Sequence, residues 1–131
     1  ILLLIATPEI MSTKEKWILD STARQIAEDI RWTQHLAITE SMNHNFDLDL
    51  SKRSYRIRSI IIREPTIKSV KIDPNITGIS STLKSEGIYK RLSFSPTGNP
   101  SQTGSIILTS RNGKKVTITV AVGTGRVVIK P

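Results

Sequence analysis

Cysteine is absent from this 131-residue chain, which excludes a disulfide scaffold and a thiolate metal site and leaves the redox compartment undetermined. Aromatic residues are scarce too, two each of Trp, Tyr and Phe, so a surface that grips nucleic acid by stacking has little to build on. Histidine occurs only as His35 and His44, with no second ligand at metal spacing and no nucleophile motif beside either. Both read as structural or solvent-exposed, and catalysis has no footing. There is no internal repeat, no low-complexity linker and no Met at the first position. Crossing a bilayer takes roughly 20 apolar residues. The run ILLLIA at residues 1–6 stops far short, and it has neither the basic flank nor the cleavage site of a secretory signal. Two readings of it stay open: a helix start tucked into a core, or the last turns of a membrane helix whose first part lies upstream.

What is present is a chain of one-domain length with its charge unevenly placed. Residues 1–50 hold four basic and eight acidic side chains, net −4, and residues 51–131 hold fifteen and three, net +12, which sum to +8. Such asymmetry favours a polyanionic partner for the second part or head-to-tail contact between copies; the plainer reading is a solvated basic surface.

Residues 12–42 carry a helical pattern. Leu19, Ala23, Ile26, Ile30, Thr33 and Ala37 recur at steps of four and three and draw one stripe down a helix face. Asp20, Arg24 and Glu28, with Arg31 beyond them, alternate in sign on the opposite face. Ser12 and Glu15 have the spacing of a capping box, and Pro8 a turn earlier either starts this helix or kinks a longer one.

After Met42 the period becomes two. Phe46, Leu48 and Leu50 alternate with Asp47 and Asp49, SKRS turns the chain, and Tyr55 and Ile57 alternate with Arg56 and Arg58, which reads as a hairpin with one wet face. Strand-like stretches at 60–62 and 70–72 are interrupted by Pro65 and Pro74, so residues 66–86 read as short edge strands or an ordered loop. Leu92 and Phe94 mark a strand that ends in the turn-rich SPTGNPSQTG. Strands at 105–109 and 115–122 follow, joined by an Asn112-Gly113 turn suited to type I′ geometry. Gly123-Thr124-Gly125 reverses the chain once more before a last strand at 126–129. The expected fold class is α+β: a long N-terminal helix, residues 1–42, packed on an antiparallel head of six or seven strands, residues 43–131, the two forming one domain.

Few residues here suit chemistry. Asp47 and Asp49 share a strand face, but two carboxylates without further oxygen ligands make a weak calcium site, so they read as a polar outer face. The sequon at Asn75 is too common a pattern to weigh, and Gly123, Gly125 and Arg126 make no phosphate loop. No cofactor or metal is expected. Basic residues form the one surface that looks functional. Arg56 and Arg58 share a strand face with Lys52 and Arg53 at their turn, and Arg111, Lys114 and Lys115 cluster at a second turn. Such patches bind phosphate backbones through counterion release, and only Tyr55 and Tyr89 stand near basic neighbours to add stacking. A free-standing nucleic-acid-binding module is therefore one reading.

Five segments in order carry a resemblance: a stub ending ATPEI, the helix TARQIAEDIRWTQHLAITESMN, the strand FDLDL, the run LSFSPTGNPSQTGSIILTS and the closing ITVAVGTGRVVI. With Phe94-x-Pro96-x-Gly98 before a strand and Gly125-Arg126-Val127 near the end, the chain resembles the GspH/FimT family of type II secretion pseudopilins and minor type IV pilins over nearly its whole length. The resemblance implies a prepilin whose short leader is cut by a prepilin peptidase, with a methylated Phe and a membrane-embedded Glu, all upstream of Ile1. Residues 1–6 would then end the membrane helix, Pro8 would be its kink, and residues 19–37 the half that packs on the sheet. It implies assembly rather than catalysis, as a single-pass subunit of the bacterial cell membrane whose head is periplasmic or extracellular and which enters a fibre. The implied partners are other pilin or pseudopilin subunits and the inner-membrane assembly machinery. Whether the machine serves secretion, a pilus or competence stays open. Some members bind DNA through a C-terminal GRxR element. Gly125 and Arg126 match it, Val128 replaces the second Arg, and Lys130 is the next base. The candidate DNA-binding residues are accordingly Arg126, Lys130, Arg111, Lys114, Lys115, Arg56 and Arg58.

Overall fold

A computed structural model of the chain describes residues 8–61, 66–121 and 126–131. Its helix α1 (Pro8–Glu40) runs straight through Ser12, which removes the capping box: a cap residue must itself be non-helical. The other end closes by a specific device. Ser41 adopts φ 54°, and the Met42 amide reaches back 3.3 Å to the Ala37 carbonyl, the 6→1 bond of a Schellman motif. The helix therefore stops at Glu40, two residues before the end that periodicity implies. The apolar run at residues 1–6 lies outside the described residues, so the kink expected at Pro8 has no described upstream side. No helix among the described residues is long and apolar enough to cross a membrane.

Among the described residues nine strands follow rather than six or seven, and they form two sheets. Strands β1 (His44–Asp49), β2 (Ser54–Ser59), β3 (Lys68–Lys71), β5 (Ser85–Glu86) and β6 (Tyr89–Phe94) make sheet A in the order β3-β2-β1-β6-β5. Strands β4 (Ile76–Ser81), β7 (Gly104–Ser110), β8 (Lys115–Val120) and β9 (Val127–Lys130) make sheet B in the order β4-β7-β8-β9. All pairings are antiparallel. The proline-broken stretch resolves into β3, β4 and β5, each at a sheet edge, where a missing N–H costs least. Ile60 and Ile61 fall just past β2 and are exposed rather than in a strand, and Ile62 lies outside the described residues.

The turns differ from expectation in one respect. Gly113 has φ 82° but Asn112 does not have positive φ, so the β7–β8 connection is not type I′. The Gly113 amide bonds to the Ser110 carbonyl and the Ser110 amide to the Lys114 carbonyl, the pattern of a longer turn closed by a left-handed glycine. The Gly123-Thr124-Gly125 reversal lies outside the described residues.

Helix α1 packs on β1, β2 and β6 of sheet A and on β7, β8 and β9 of sheet B, so one apolar stripe serves two sheets. Sheet A presents Phe46, Leu48, Ile57, Leu92 and Phe94, with the Phe46 and Tyr55 rings 5.0 Å apart. Sheet B presents Ile106, Leu108, Val116, Ile118 and Val120. In β2, β7 and β8 buried and half-open positions alternate, as a strand with one dry face must. β1 breaks that rule: all six of its residues are buried.

Candidate interaction surfaces

The helix stripe is internal throughout. Leu19, Ala23, Ile26, Ile30, Thr33 and Ala37 are all buried, and Ile18, Ala27 and Asp29 widen the stripe. Thr33 is tolerated because its hydroxyl donates to the Asp29 carbonyl at 2.7 Å. Asp29 is the polar member of the stripe, and three elements meet at it. Its Oδ2 accepts from the Tyr55 hydroxyl at 2.5 Å and its Oδ1 from Lys68 Nζ at 2.7 Å, which ties the helix to β2 and β3. Burial and the neighbouring Asp29 carboxylate push the Tyr55 phenol well above its ordinary range. The spacing did contain a signal for Asp29, which stands three residues after Ile26 and four before Thr33.

A second clamp explains the Phe94-x-Pro96-x-Gly98 pattern. Phe94 is buried in the core, and the loop after it folds back on the end of α1, where Gln34 Nε2 donates to the Gly98 carbonyl at 2.8 Å. Gly98 has φ 84°, and a Cβ there would stand 2.8 Å from Ile38 Cδ1. Glycine is required twice over, by backbone conformation and by contact.

The arrangement of a long helix on antiparallel sheets is shared with solved structures. The minor pseudopilin EpsH from the Type 2 Secretion System of Vibrio cholerae superposes with a TM-score of 0.69 at 9% identity, covering 86% of this chain and 95% of that one. The type IV minor pilin FimU of Pseudomonas aeruginosa superposes at 0.68 with 12% identity, covering 91% and 92%, and its second crystal form at 0.64 with 13%. The fold is that of a minor pilin. No protein-family model matches the chain, and no curated protein matches it in sequence.

On this pilin fold the outward face of α1 stays open. Trp17 is 70% exposed, and Arg24, Gln25, Glu28, Trp32 and His35 are exposed with it. Asp20, Arg24 and Glu28 form no ion pair with one another, and Arg31 instead donates to the Val127 carbonyl of β9 at 3.0 Å. The alternation expected to stabilise an exposed helix is therefore solvated charge, with one residue recruited to sheet B.

The basic residues divide into two groups that do not meet. Asp47 is fully buried on the outer face of sheet A, opposite Arg56 on one side and Arg91 on the other. Arg56 Nε donates to Oδ2 at 3.2 Å, and Arg91 donates through Nε at 2.7 Å and Nη2 at 3.1 Å. Arg91 also reaches Glu86 at 2.6 Å, and these two carboxylates raise its pKa further. Asp47 and Asp49 thus point outward as expected but are covered, and the wet face of the hairpin is a correction. Its cause is the cross-strand charge of the flanking arginines, legible in FDLDL opposite YRIR and KRL. Arg56 is engaged twice, since its guanidinium stands 3.9 Å from the Tyr89 ring centroid. Arg58 is half-buried on the same face. Tyr55, named as a stacking residue, is in the core.

The other group lies on sheet B. Arg111, Lys114 and Lys115 are exposed at the β7–β8 turn, and Lys130, paired in register with Thr117, comes near that end. Arg126 precedes Val127, which pairs with Val120 at the far end of β8. Four strand residues span about 13 Å, which separates Lys130 from Arg126 by roughly that length. His44 is fully buried, with Nε2 2.9 Å from Glu40 and Nδ1 3.0 Å from the Met42 carbonyl, and His35 is exposed on α1. No group of three or more metal-ligating side chains occurs among the described residues.

Proposed function

We propose that this chain is a minor pilin or pseudopilin subunit that enters or primes a type IV pilus or type II secretion pseudopilus. The observation that supports it most is the division of α1 into two faces. One holds both sheets, and the other presents Trp17, Arg24, Glu28 and Trp32 to solvent along the helix. A helix that only closed a core would gain nothing from an exposed Trp, whereas subunits stacked by their N-terminal helices would bury it. On this reading residues 1–42 and 43–131 act as one unit, and the partners are neighbouring subunits and the inner-membrane assembly machinery. The role is mechanical, not catalytic.

The nucleic-acid reading has less to support it. Arg56 is held by Asp47 and Tyr89, Tyr55 is in the core, and Arg126 stands just before β9 with Lys130 at its far end. The test of the assembly reading is genetic and biochemical together. Fibres sheared from cells of the source organism should contain the protein, and deleting its gene should reduce their number or the secretion they support. Intact fibre assembly and secretion without it, and its absence from the sheared fraction, would overturn the proposal.

A further inference from the structure

Among the described residues each sheet ends in two strands with one side unpaired, β3 and β5 in sheet A and β4 and β9 in sheet B. Such edges offer backbone amides and carbonyls to any extended chain, and folded proteins blunt them. Three of the four are blunted here. β5 is only two residues long, β4 is broken by a register shift between Ile76 and Gly78, and the Val127 carbonyl of β9 is taken by Arg31. β3 has no such device, and it pairs with β2 in unbroken register from Lys68 to Lys71. The Ile72 amide bonds to the Arg53 carbonyl opposite it, so alternation along the antiparallel ladder turns Lys68, Val70 and Ile72 toward β2 and Ser69 and Lys71 outward. Both outward residues are exposed, and their N–H and C=O groups meet no strand on that side.

A groove of about 350 Å³ lies beside this edge, between β3 and α1. Trp17 and Gln25 line it from the helix, with the apolar Ile26, Tyr55, Val70 and Ile72. Trp17 is 70% exposed, so the groove has an aromatic wall left uncovered. Asp73, also in the lining, is already spent on the Asn75 amide and side chain, each at 2.8 Å. Val70 stands opposite Tyr55, whose hydroxyl reaches Asp29 of α1, so Val70 faces the helix and its neighbours Ser69 and Lys71 face the outer side of the sheet. A strand laid along β3 must alternate in the same way. One set of its side chains enters the groove, where apolar groups fit. The other set joins the outer face, where Lys52 and Lys71 are exposed while Asp47 and Asp49 are buried, so acids fit there. Two copies joined through β3 would bring their Lys71 side chains onto one face, which disfavours self-pairing.

We propose that β3 is a docking edge for an extended segment of another protein in which apolar and acidic residues alternate. The segment extends sheet A by one strand and seats an apolar side chain against Trp17. Docking there needs only the edge and the groove, whether or not the chain enters a fibre. A short peptide held in this way should have a Kd of roughly 0.1–1 mM. The test is an amide-resolved NMR titration of the chain with an acetylated, amidated hexapeptide alternating Val and Glu, beside the Val-Lys hexapeptide and a Val-Glu hexapeptide N-methylated at every residue. The Val-Glu peptide should give saturable shifts at the Ser69 and Lys71 amides and the Trp17 indole, the Val-Lys peptide should bind severalfold more weakly, and the N-methylated peptide should not bind. Ser69→Pro removes one outward N–H and leaves the bonds to β2, so it should weaken binding by roughly tenfold. Lys71→Glu changes only an exposed side chain and should reverse the order of the Val-Glu and Val-Lys peptides, which keeps the test decisive if proline disturbs the strand. No saturable shift at Ser69 and Lys71 with the Val-Glu peptide would overturn the proposal. So would equal binding of the N-methylated peptide, or unchanged affinity in both variants. A shift of the edge amides with protein concentration alone would also overturn it, because the occupant would then be a second copy.

Discussion

The two sheets grip the same helix by different means. Sheet B does it almost wholly with apolar alternation: Ile106, Leu108, Val116, Ile118 and Val120 face α1, and one Arg31 bond to the Val127 carbonyl adds a polar tie. Sheet A adds buried charge on both of its faces, Asp29 against Tyr55 and Lys68 inside, Asp47 between Arg56 and Arg91 outside. The difference explains where the positive charge goes. Acids from residues 1–50 draw bases from the later part into sheet A, and the bases of sheet B remain at the surface. Charge counted along the sequence therefore overstates the surface available to a polyanion.

The largest expected effect removes what the sheets share. Ile26→Asp or Ile30→Asp puts an unpaired charge at a fully buried position facing both sheets, and it should cost upwards of about 4 kcal/mol and unfold the domain. Circular dichroism and thermal melting would show this, and a soluble, cooperatively melting variant would refute the shared core. Next comes a change confined to sheet A. Asp47→Ala leaves two arginines facing each other across β1, each side chain about one quarter exposed, and it should cost roughly 3 kcal/mol. Native-state hydrogen exchange should show β2 and β6 losing protection before β7 and β8. Equal loss in both sheets would mean that they do not respond independently.

Strands β7 and β8 of sheet B were legible in the sequence because they alternate cleanly, and so was the helix stripe, whose six named positions are all buried. Sheet A was harder to read. A central strand buried on both faces looks from its own sequence like any alternating strand, and only the arginines opposite Asp47, brought from β2 and β6, reveal the cover. The edge strands were hidden for another reason: prolines and short lengths erase their period, and their pairing is tertiary. The orientation of the β3 edge was not legible at all, since the register with β2 decides which of its amides face outward.

The smallest effect sharpens the comparison by pH. The hydrogen bonds from Ser51 and the Lys52 amide hold the Asp49 carboxyl below its ordinary 3.8. The group is thus more acidic folded than unfolded, so its stabilisation is in full force above the unfolded value and disappears as pH falls through the lower folded one. Asp49→Asn should flatten the acid limb of melting temperature against pH below about pH 4 and leave the curve above about pH 5 parallel to that of the parent. An unchanged acid limb would show that the turn does not draw on the charge.

The absence of cysteine makes the central claim directly testable. Single cysteines placed on the open helix face, Trp17→Cys or Glu28→Cys, should cross-link the protein to neighbouring subunits in sheared fibres, whereas Arg111→Cys at the sheet B turn should not. Cross-links formed only through position 111, or incorporation into fibres with no cross-link from either helix position, would contradict a helix that holds its own head on one face and its neighbours on the other.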